Sequence, residues 1–514
     1  MALVHLWRML VWGRRMARHG ALRPFEDRRL PATVRLVAKI ARFGSGAPKT
    51  PDFAAGLAAV GPAAIKLGQA LATRPDLIGL EVATDLARLQ DQLPPIMFSQ
   101  IEPALNAAYG DWKTRFQSIE PVAVAAASIA QVHKAVTSEG RTVAIKLLRP
   151  GIEADVAAAL ATYEWGAGHI EALGGEFARL RPRAIIAAFK SWIEAELDLR
   201  REAANASELA EILAGEADFV VPGVDWQRST RRILVIDWID GVKVSDRAAM
   251  AALDVDRAAL ARILVDGFLT QAIAKGFFHA DLHQGNLFII PPGVGRDGGV
   301  DHARIGVVDF GIMGRISRRA RLYLAEILHG LVTGNYARVA EIHFEAGYVP
   351  PHHNPAAFAT ALRAVGEPIR GRQAKDIAIT DLLEGLFSIT RSFDMPVQPH
   401  LLLLQKTMVM VEGVALTIDP HVNMWEVAEP FVRDWVRDEM GPEAMIADNL
   451  VLNFRALRQL PRMFRQWVAQ NPMPGAAPPQ APLPPLPQKA AGGWSTPWLL
   501  LAAGLGAAAA VLLG

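Results

Sequence analysis

The sequence predicts an α+β protein with a helical N-terminal extension and a C-terminal transmembrane helix. Three observations carry that expectation. Apolar residues recur at helical spacing through residues 50–118 and 151–216. Between them the period changes: IEPVAVAAASIAQVHKAV, the turn TSEG, then RTVAIKLLRP read as two strands around a turn. After a second strand-rich stretch the chain returns to helix and ends in an uncharged apolar run, Trp498–Gly514. With 514 residues there is room for more than one domain. The apolar fraction is 51% and the net charge +2, which gives no argument for a nucleic-acid partner. The absence of cysteine excludes disulfides, thiolate metal sites and cysteine nucleophiles together.

Residues 1–48 form a basic segment. Arg8, Arg14, Arg15, Arg18, Arg23, Arg28, Arg29 and Arg35 stand against only Glu26 and Asp27. Leu3, Val4, Trp7, Leu10 and Val11 fall at helical spacing, so an apolar stripe faces a basic one. That pattern suits an interfacial helix on anionic lipid, and equally an amphipathic helix packed on its own domain. It lacks the uninterrupted apolar core and the cleavage site of a secretory signal.

Residues 49–118 read as a helical region containing AAIKLGQALATRPDLIG. Lys66 there lies toward an apolar side, where the plain reading is a lysine that snorkels to solvent. Residues 119–240 follow as a strand-bearing domain with a helical insertion. Val143-Ala144-Ile145-Lys146 looks like the strand lysine that pairs with α- and β-phosphates. A glycine-rich loop would precede it in a kinase; here Ala125, Ala126, Ala127 and Ser128 take the place. Alanine disfavours positive φ, so this loop should be stiffer and close less tightly over a γ-phosphate.

The run EAELDLRREAAN places Glu196, Asp198 and Glu202 on what reads as one helix. A six-residue offset keeps Glu196 and Glu202 from sharing one spot. One of them can pair with Lys146 while the other serves a different partner, although a solvated acidic face is the plain alternative. Ile233–Ile239 is a strand leading to a break at Asp240-Gly241, and residues 255–277 a helix.

The richest stretch is His279–Gly311. HADLHQGN sets Asp281 and Asn286 five residues apart before an apolar strand, and a second strand delivers Asp309-Phe310-Gly311. This is the layout of a phosphoryl-transfer site of kinase type. One Asp orients a hydroxyl, the Asn holds Mg²⁺, and the second Asp holds the metal that bridges phosphates. All are hard oxygen donors, as Mg²⁺ demands.

Gly293-Val294-Gly295-Arg296-Asp297-Gly298 matches a dinucleotide fingerprint by letter only. A strand follows it where a helix is needed, so it reads as a hairpin tip. His343, His352 and His353 could be read as a metal cluster, but the last two flank prolines, so a loop is the favoured reading. Leu401–Pro420 is an apolar helix interrupted by Glu412-Gly413. Residues 241–470 make the larger domain, 471–493 a proline-rich spacer, and 494–514 the anchor. Its 17 residues from Trp498 span about 25 Å, just short of a hydrocarbon core, so burial in a fold or an oligomer stays open. Trp494 and Trp498 suit its interface.

Taken as an ordered set, Lys66-x-Gly68-Gln69, the alanine loop with Gln131-Val132-His133, Val143–Lys146, Glu196-x-Asp198, Glu202, HADLHQGN, Asp309–Gly311 and Glu412-Gly413 closely resemble the UbiB/ADCK family of atypical kinase-like proteins. The set covers about residues 30–440. Gln284 departs from it, standing where the family usually has proline. The resemblance implies a protein-kinase-like two-lobed fold with ATP and Mg²⁺ as cofactors. ATP contacts would come from Val124, Ala125, Ala126, Ala127, Ser128, Ile129, Ala130, Gln131 and Val132, and from Lys146 paired with Glu202. Asn286 and Asp309 would hold the metal, and Asp281 would be the catalytic base or water orienter.

By the same resemblance Lys66, Gly68 and Gln69, with Glu196 and Asp198, would occlude the pocket where a protein substrate enters, Lys66 pairing with Glu196. That favours slow ATP hydrolysis or phosphorylation of a small lipid-like molecule over protein phosphorylation. Implied partners are inner-membrane lipid, polyprenylated quinone intermediates and ubiquinone-biosynthesis enzymes, on the cytoplasmic face of a bacterial inner membrane. Family members typically carry two C-terminal membrane helices, so dimerisation through Trp498–Gly514 stays open. The competing classes are a small-molecule phosphotransferase of aminoglycoside-kinase type and a non-catalytic scaffold or lipid chaperone.

Overall fold

The computed structural model describes residues 2–22, 39–72 and 78–89 with short gaps, 94–172, 181–293, 302–367, and 389–440 with short gaps. The proline-rich spacer, the C-terminal anchor, residues 23–38 and most of the fingerprint-like glycine string lie outside them. The chain divides into two compact units.

The first unit opens with α1 (Ala2–Arg18), α2 (Phe53–Val60), α3 (Pro62–Ala72), α4 (Leu80–Leu86) and α5 (Phe98–Tyr109). Asp52 starts α2, its Oδ1 accepting from the Ala55 N–H at 2.8 Å. The strands β1 (Phe116–Ile119), β2 (Ala125–Ala126), β3 (Ala130–Thr137) and β4 (Thr142–Leu148) follow. The run read as one strand from Ile119 is thus broken into three pieces. Then come α6 (Ile152–Ala172), α7 (Pro182–Glu196) and α8 (Leu199–Ile212). β5 (Phe219–Val220) belongs to the second unit, and the chain returns to the first for β6 (Ile233–Asp237). The first unit's sheet runs β1-β3-β4-β6, all antiparallel, with β2 paired to β3.

The period of two along β4 sorts its side chains between two cores. Val143, Ile145 and Leu147 join Ile101, Leu105 and Phe116 on one face. Ala144 and Leu148 join Ile65, Phe189, Leu199 and Ala203 on the other. Lys146 shares this second face, which carries α3, α7 and α8.

Two sequence expectations are corrected here. Glu196 and Glu202 do not share a helix: α7 ends at Glu196, and after Leu197 and Asp198 a new helix starts. Arg200 N–H donates to Asp198 Oδ1 at 3.2 Å and Leu199 N–H to Arg231 O at 2.9 Å, so new partners replace helical continuation. The strand from Ile233 stops at Asp237, two residues early.

The basic N-terminal helix packs and still leaves an apolar stripe. Leu6, Met9, Met16 and Ala17 are buried, and the Arg8 Nη1 donates to Ala158 O at 2.6 Å on α6. Leu3 and Trp7 remain 78% and 69% exposed, with Val4 and Leu10 beside them. The helix therefore packs on its own domain through one face and leaves the other face exposed.

The second unit contains β7 (Val242–Lys243), α9 (Arg247–Ala252), α10 (Arg257–Leu269), β8 (Phe277–His279), β9 (Leu287–Ile290), β10 (Arg304–Val307) and β11 (Met313–Arg315). The helix expected over 255–277 ends at Leu269 and passes into a π turn over Thr270–Lys275. Its sheet is ordered β5-β10-β9-β7, and β5 pairs with β10 in parallel. β9 and β10 are antiparallel neighbours, so the glycine string between them leads into a strand, as expected. Among the described residues five helices follow: α11 (Arg318–Thr333), α12 (Tyr336–Glu345), α13 (Pro355–Gly366), α14 (Pro399–Ile418) and α15 (Met424–Met440). α14 runs through Glu412-Gly413 without a break. Among the described residues it is the one helix long and apolar enough to cross a membrane. Thr407, Val411, Val414, Ala415 and Ile418 on it are buried, and it backs the catalytic-type loop described next.

Candidate active site

In the first unit Lys146 Nζ lies 2.7 Å from Glu202 Oε1, with 16% and 9% of the two side chains exposed. β4 fixes the lysine, and the first turn of α8 fixes the glutamate, on the buried side that Ala203, Ala206 and Leu209 also occupy. A second ion pair joins Lys66 on α3 to Glu196 at the end of α7. Lys66 is buried, so the snorkelling reading is overturned. Gly68 sits two residues on, where a Cβ would meet Leu89 Cδ1 at 2.4 Å and Leu57 Cδ1 at 2.7 Å. Its lack of a side chain is what lets α3 lie against them. Gln69 reaches Leu89 O at 3.5 Å. Asp198 is held by Arg200 at 2.6 and 2.9 Å, and those bonds lower its pKa.

The alanine loop is a tight turn: Ala127 N–H donates to Ala130 O at 2.8 Å, and Ala125 and Ala126 pair with Val132 and Gln131. None of Val124 to Val132 has positive φ, consistent with alanine in place of glycine. Ser128, Ile129 and Ala130 are buried, whereas Val124 and Ala125 are exposed. The Gln131 side chain accepts from Ile96 N–H at 2.9 Å and donates to Ile96 O at 3.1 Å. Arg149, which sequence reasoning passed over, donates to Ala127 O and to Pro94 O, both at 2.9 Å, and so clamps the loop from behind.

In the second unit the loop His279–Asn286 is held by its own backbone. His279 is buried, and its Nε2 donates to Asp309 O at 2.8 Å and to Val308 O at 3.3 Å. Its Nδ1 is then left to accept from Asp281 N–H at 3.2 Å. A neutral imidazole thus ties the two acidic segments together. Asn286 Nδ2 donates to Asp281 O at 3.1 Å, and Val308 N–H to Asn286 O at 3.0 Å. Asp309 is exposed, with φ +67°, a region that Asp and Asn enter more readily than other side chains.

Two groups flank the Asp281 carboxylate: His283 Nε2 of the same motif at 3.7 Å and, outside the motif, Lys406 Nζ on α14 at 3.9 Å. Thr407 beside Lys406 donates to Ala280 O at 3.3 Å. The departure at Gln284 finds a local use, its amide donating to Thr417 Oγ1 at 3.1 Å. Asn205 Nδ2 donates to Phe310 O at 2.9 Å.

The donor chemistry fits a hard cation. Asn286 donates its amide N–H within the loop, so its amide oxygen is the atom that would meet a metal, and Asp309 is exposed. Bound Mg²⁺ would neutralise phosphate charge there, held by Asn286 and Asp309.

Burial lowers the pKa of His279 below 6.5, against the opposing pull of Asp281 and Asp309. His343 shifts the same way by burial, its Nδ1 donating to Val339 O at 2.7 Å. Its ring packs against Tyr348 and Phe358, and among the described residues it joins no metal-ligating cluster. Both histidines fold neutral, so the unfolded chain takes up protons first as pH falls below 6.5. Their contribution is complete above that pH and is lost below it, at about 1.4 kcal/mol per pH unit for each. Thermal unfolding should show Tm falling from pH 6.5 to 5.5, and a His343→Asn variant should show a shallower fall. Parallel curves for the two proteins would refute this.

A strand lysine paired with a helix glutamate, the Asp281–Asn286 loop and the Asp309-Phe310-Gly311 turn define the class: a kinase-like α+β fold. Residues 88–343 match the ABC1 atypical kinase-like domain, and residues 362–423 match the UbiB helical domain. A relative described as probable protein kinase UbiB, from Marinobacter nauticus, is 37% identical over 417 residues, covering 80% of this chain and 73% of its own length. The chain belongs to the UbiB family of ABC1 atypical kinase-like proteins. Among solved structures, a complex of Rv3197 with erythromycin from Mycobacterium tuberculosis aligns at 25% identity and TM-score 0.48, covering 71% of this chain and 90% of that one. The Rio2 kinase–ADP/Mg²⁺–phosphoaspartate complex from Chaetomium thermophilum aligns at 13% identity and TM-score 0.26, covering 76% and 96%.

Proposed function

We propose that the chain is a membrane-associated, Mg²⁺-dependent ATPase or small-molecule kinase that supports modification of polyprenylated quinone precursors. The observation that carries this reading is the hydrogen-bonded frame of His279, Asp281, Asn286 and Asp309. It pre-organises the backbone that carries these oxygen donors. Asp281 orients the attacking hydroxyl or water, with the Lys406 ammonium 3.9 Å from its carboxylate. Lys146, kept in place by Glu202, binds the α- and β-phosphates. The buried Lys66–Glu196 pair and the alanine turn favour a small acceptor over a protein one.

Membrane association rests on the exposed stripe of α1, flanked by Arg14, Arg15 and Arg18, in addition to the apolar C-terminal run. Ubiquinone-biosynthesis enzymes on the cytoplasmic face of a bacterial inner membrane are the partners in this reading. Replacing Trp7 and Leu10 together by Glu should weaken binding to anionic vesicles by roughly tenfold or more, given the apolar area withdrawn from the interface. Unchanged co-sedimentation would remove the helix from the membrane account.

The function is tested by quinone-intermediate profiling of a deletion strain complemented with wild type or with Asp309→Asn. Restored quinone from wild type only supports a catalytic role. Equal restoration by both favours a non-catalytic scaffold, and failure of both to change the profile ends the quinone assignment.

A further inference from the structure

The loop joining α12 to α13 carries His352 and His353 in succession, and a separate turn carries Asp394. One ligand atom from each lies within 4.8 Å of the others. The arrangement is built on the core beneath it. Phe358 is fully buried, and the Phe393 ring packs on it at 4.9 Å and on His353 at 5.3 Å. His353 N–H donates to Pro350 O at 3.2 Å, and Phe393 N–H to Ile389 O at 3.1 Å, fixing both turns. The His352 and His353 rings lie 4.2 Å apart.

Two details separate this cluster from chance proximity. His353 Nε2 is sealed from solvent, yet accepts or donates no hydrogen bond among the described residues. Its nearest acidic neighbour, Asp394 Oδ2, stands off at 3.5 Å. An imidazole nitrogen buried that way costs a desolvation that nothing on the protein repays. Asp394 meanwhile holds φ +48°, an uncommon conformation for a residue with a Cβ, and one that calls for a reason. A protonated histidine facing a carboxylate would explain part of this. It would be a weak pair, however, because Asp394 is 75% exposed, and it would leave His352 without a part.

We propose that His352, His353 and Asp394 form a binding site for a divalent transition-metal ion of the zinc type, with coordination positions left open to water. Two imidazoles and one carboxylate are the borderline donors that Zn²⁺ and Co²⁺ select, whereas Mg²⁺ prefers oxygen alone. This site is therefore chemically distinct from Asn286 and Asp309. Ligation needs the three atoms to draw closer, which the exposed Asp394 and His352 side chains allow by rotating. A bound ion would clip the α12–α13 connection to the turn at Asp394, two segments about forty residues apart in sequence. The sequence by itself grouped His343 with the two loop histidines, whereas the structure brings Asp394 to them instead.

The test is a Co²⁺ titration of the purified full-length chain in excess Mg²⁺, which keeps Asn286 and Asp309 occupied. Wild type should bind one equivalent with visible d–d absorption, bleached by Zn²⁺. His352→Gln, at an exposed position, should weaken binding by more than the roughly 10- to 100-fold typical of a lost outer-shell partner. Asp394→Asn should do likewise, with an unfolding curve unchanged in metal-free buffer. Equal Co²⁺ affinity in wild type and both variants, or no saturable uptake by wild type, would overturn the assignment.

Discussion

Asp309→Asn should lower ATP turnover by about a thousandfold or more while leaving the fold and its thermal stability intact. The substitution removes one negative charge and almost no volume. Asn and Asp are the side-chain-bearing residues best suited to the left-handed region, so φ +67° at this position survives the change. The hydrogen bond from His279 Nε2 goes to the backbone carbonyl of residue 309, not to its carboxylate, and it too is preserved. Asp309→Ala would mix loss of the carboxylate with backbone strain, which makes Asn the cleaner probe. Steady-state ATP hydrolysis across a Mg²⁺ series measures the effect. Wild-type turnover in the Asn variant would mean that this carboxylate holds no catalytic metal.

Breaking the Lys146–Glu202 pair should be costly for a different reason. Both side chains are largely buried, and Glu202→Ala strips Lys146 of this carboxylate inside a low-dielectric core. Removing one member of such a pair typically costs about 3–5 kcal/mol, because the remaining charge stays desolvated. Replacing both, as Lys146→Met with Glu202→Leu, should recover most of that stability, since an apolar pair of similar volume is often neutral. Nucleotide affinity should stay lost in the double variant. Chemical denaturation of the two singles and the double, with nucleotide binding measured on each, separates the structural role from the functional one. A double variant as unstable as Glu202→Ala would show that the face of β4 is not simply a charge pair in an apolar setting.

Much of the candidate site was legible because it is local. Asp281 and Asn286 sit five residues apart in one loop, and Val143–Lys146 sits on one strand, so their chemistry is written in consecutive letters. The helical tracts, the two strand-rich stretches and the hairpin around the glycine string follow from periodicity in the same way. Glu202 and Lys66 were not legible from their surroundings. An arginine-rich acidic run reads as a solvated face, and a lone lysine on an amphipathic helix reads as a snorkel. Only resemblance to a family suggested their pairing.

What the sequence by itself determined was the order of the chemical groups and the period of the elements that carry them, since both depend on neighbours a few residues away. The tertiary structure alone decided which distant groups meet. Lys66 finds Glu196 and Lys146 finds Glu202 because helices packed on one face of β4 bring them there. Lys406 approaches Asp281 from a helix more than a hundred residues later, β5 pairs in parallel with β10, and Asp394 arrives beside His352 and His353. Contacts at such separations are chosen by the burial of whole apolar faces, to which no local pattern has access.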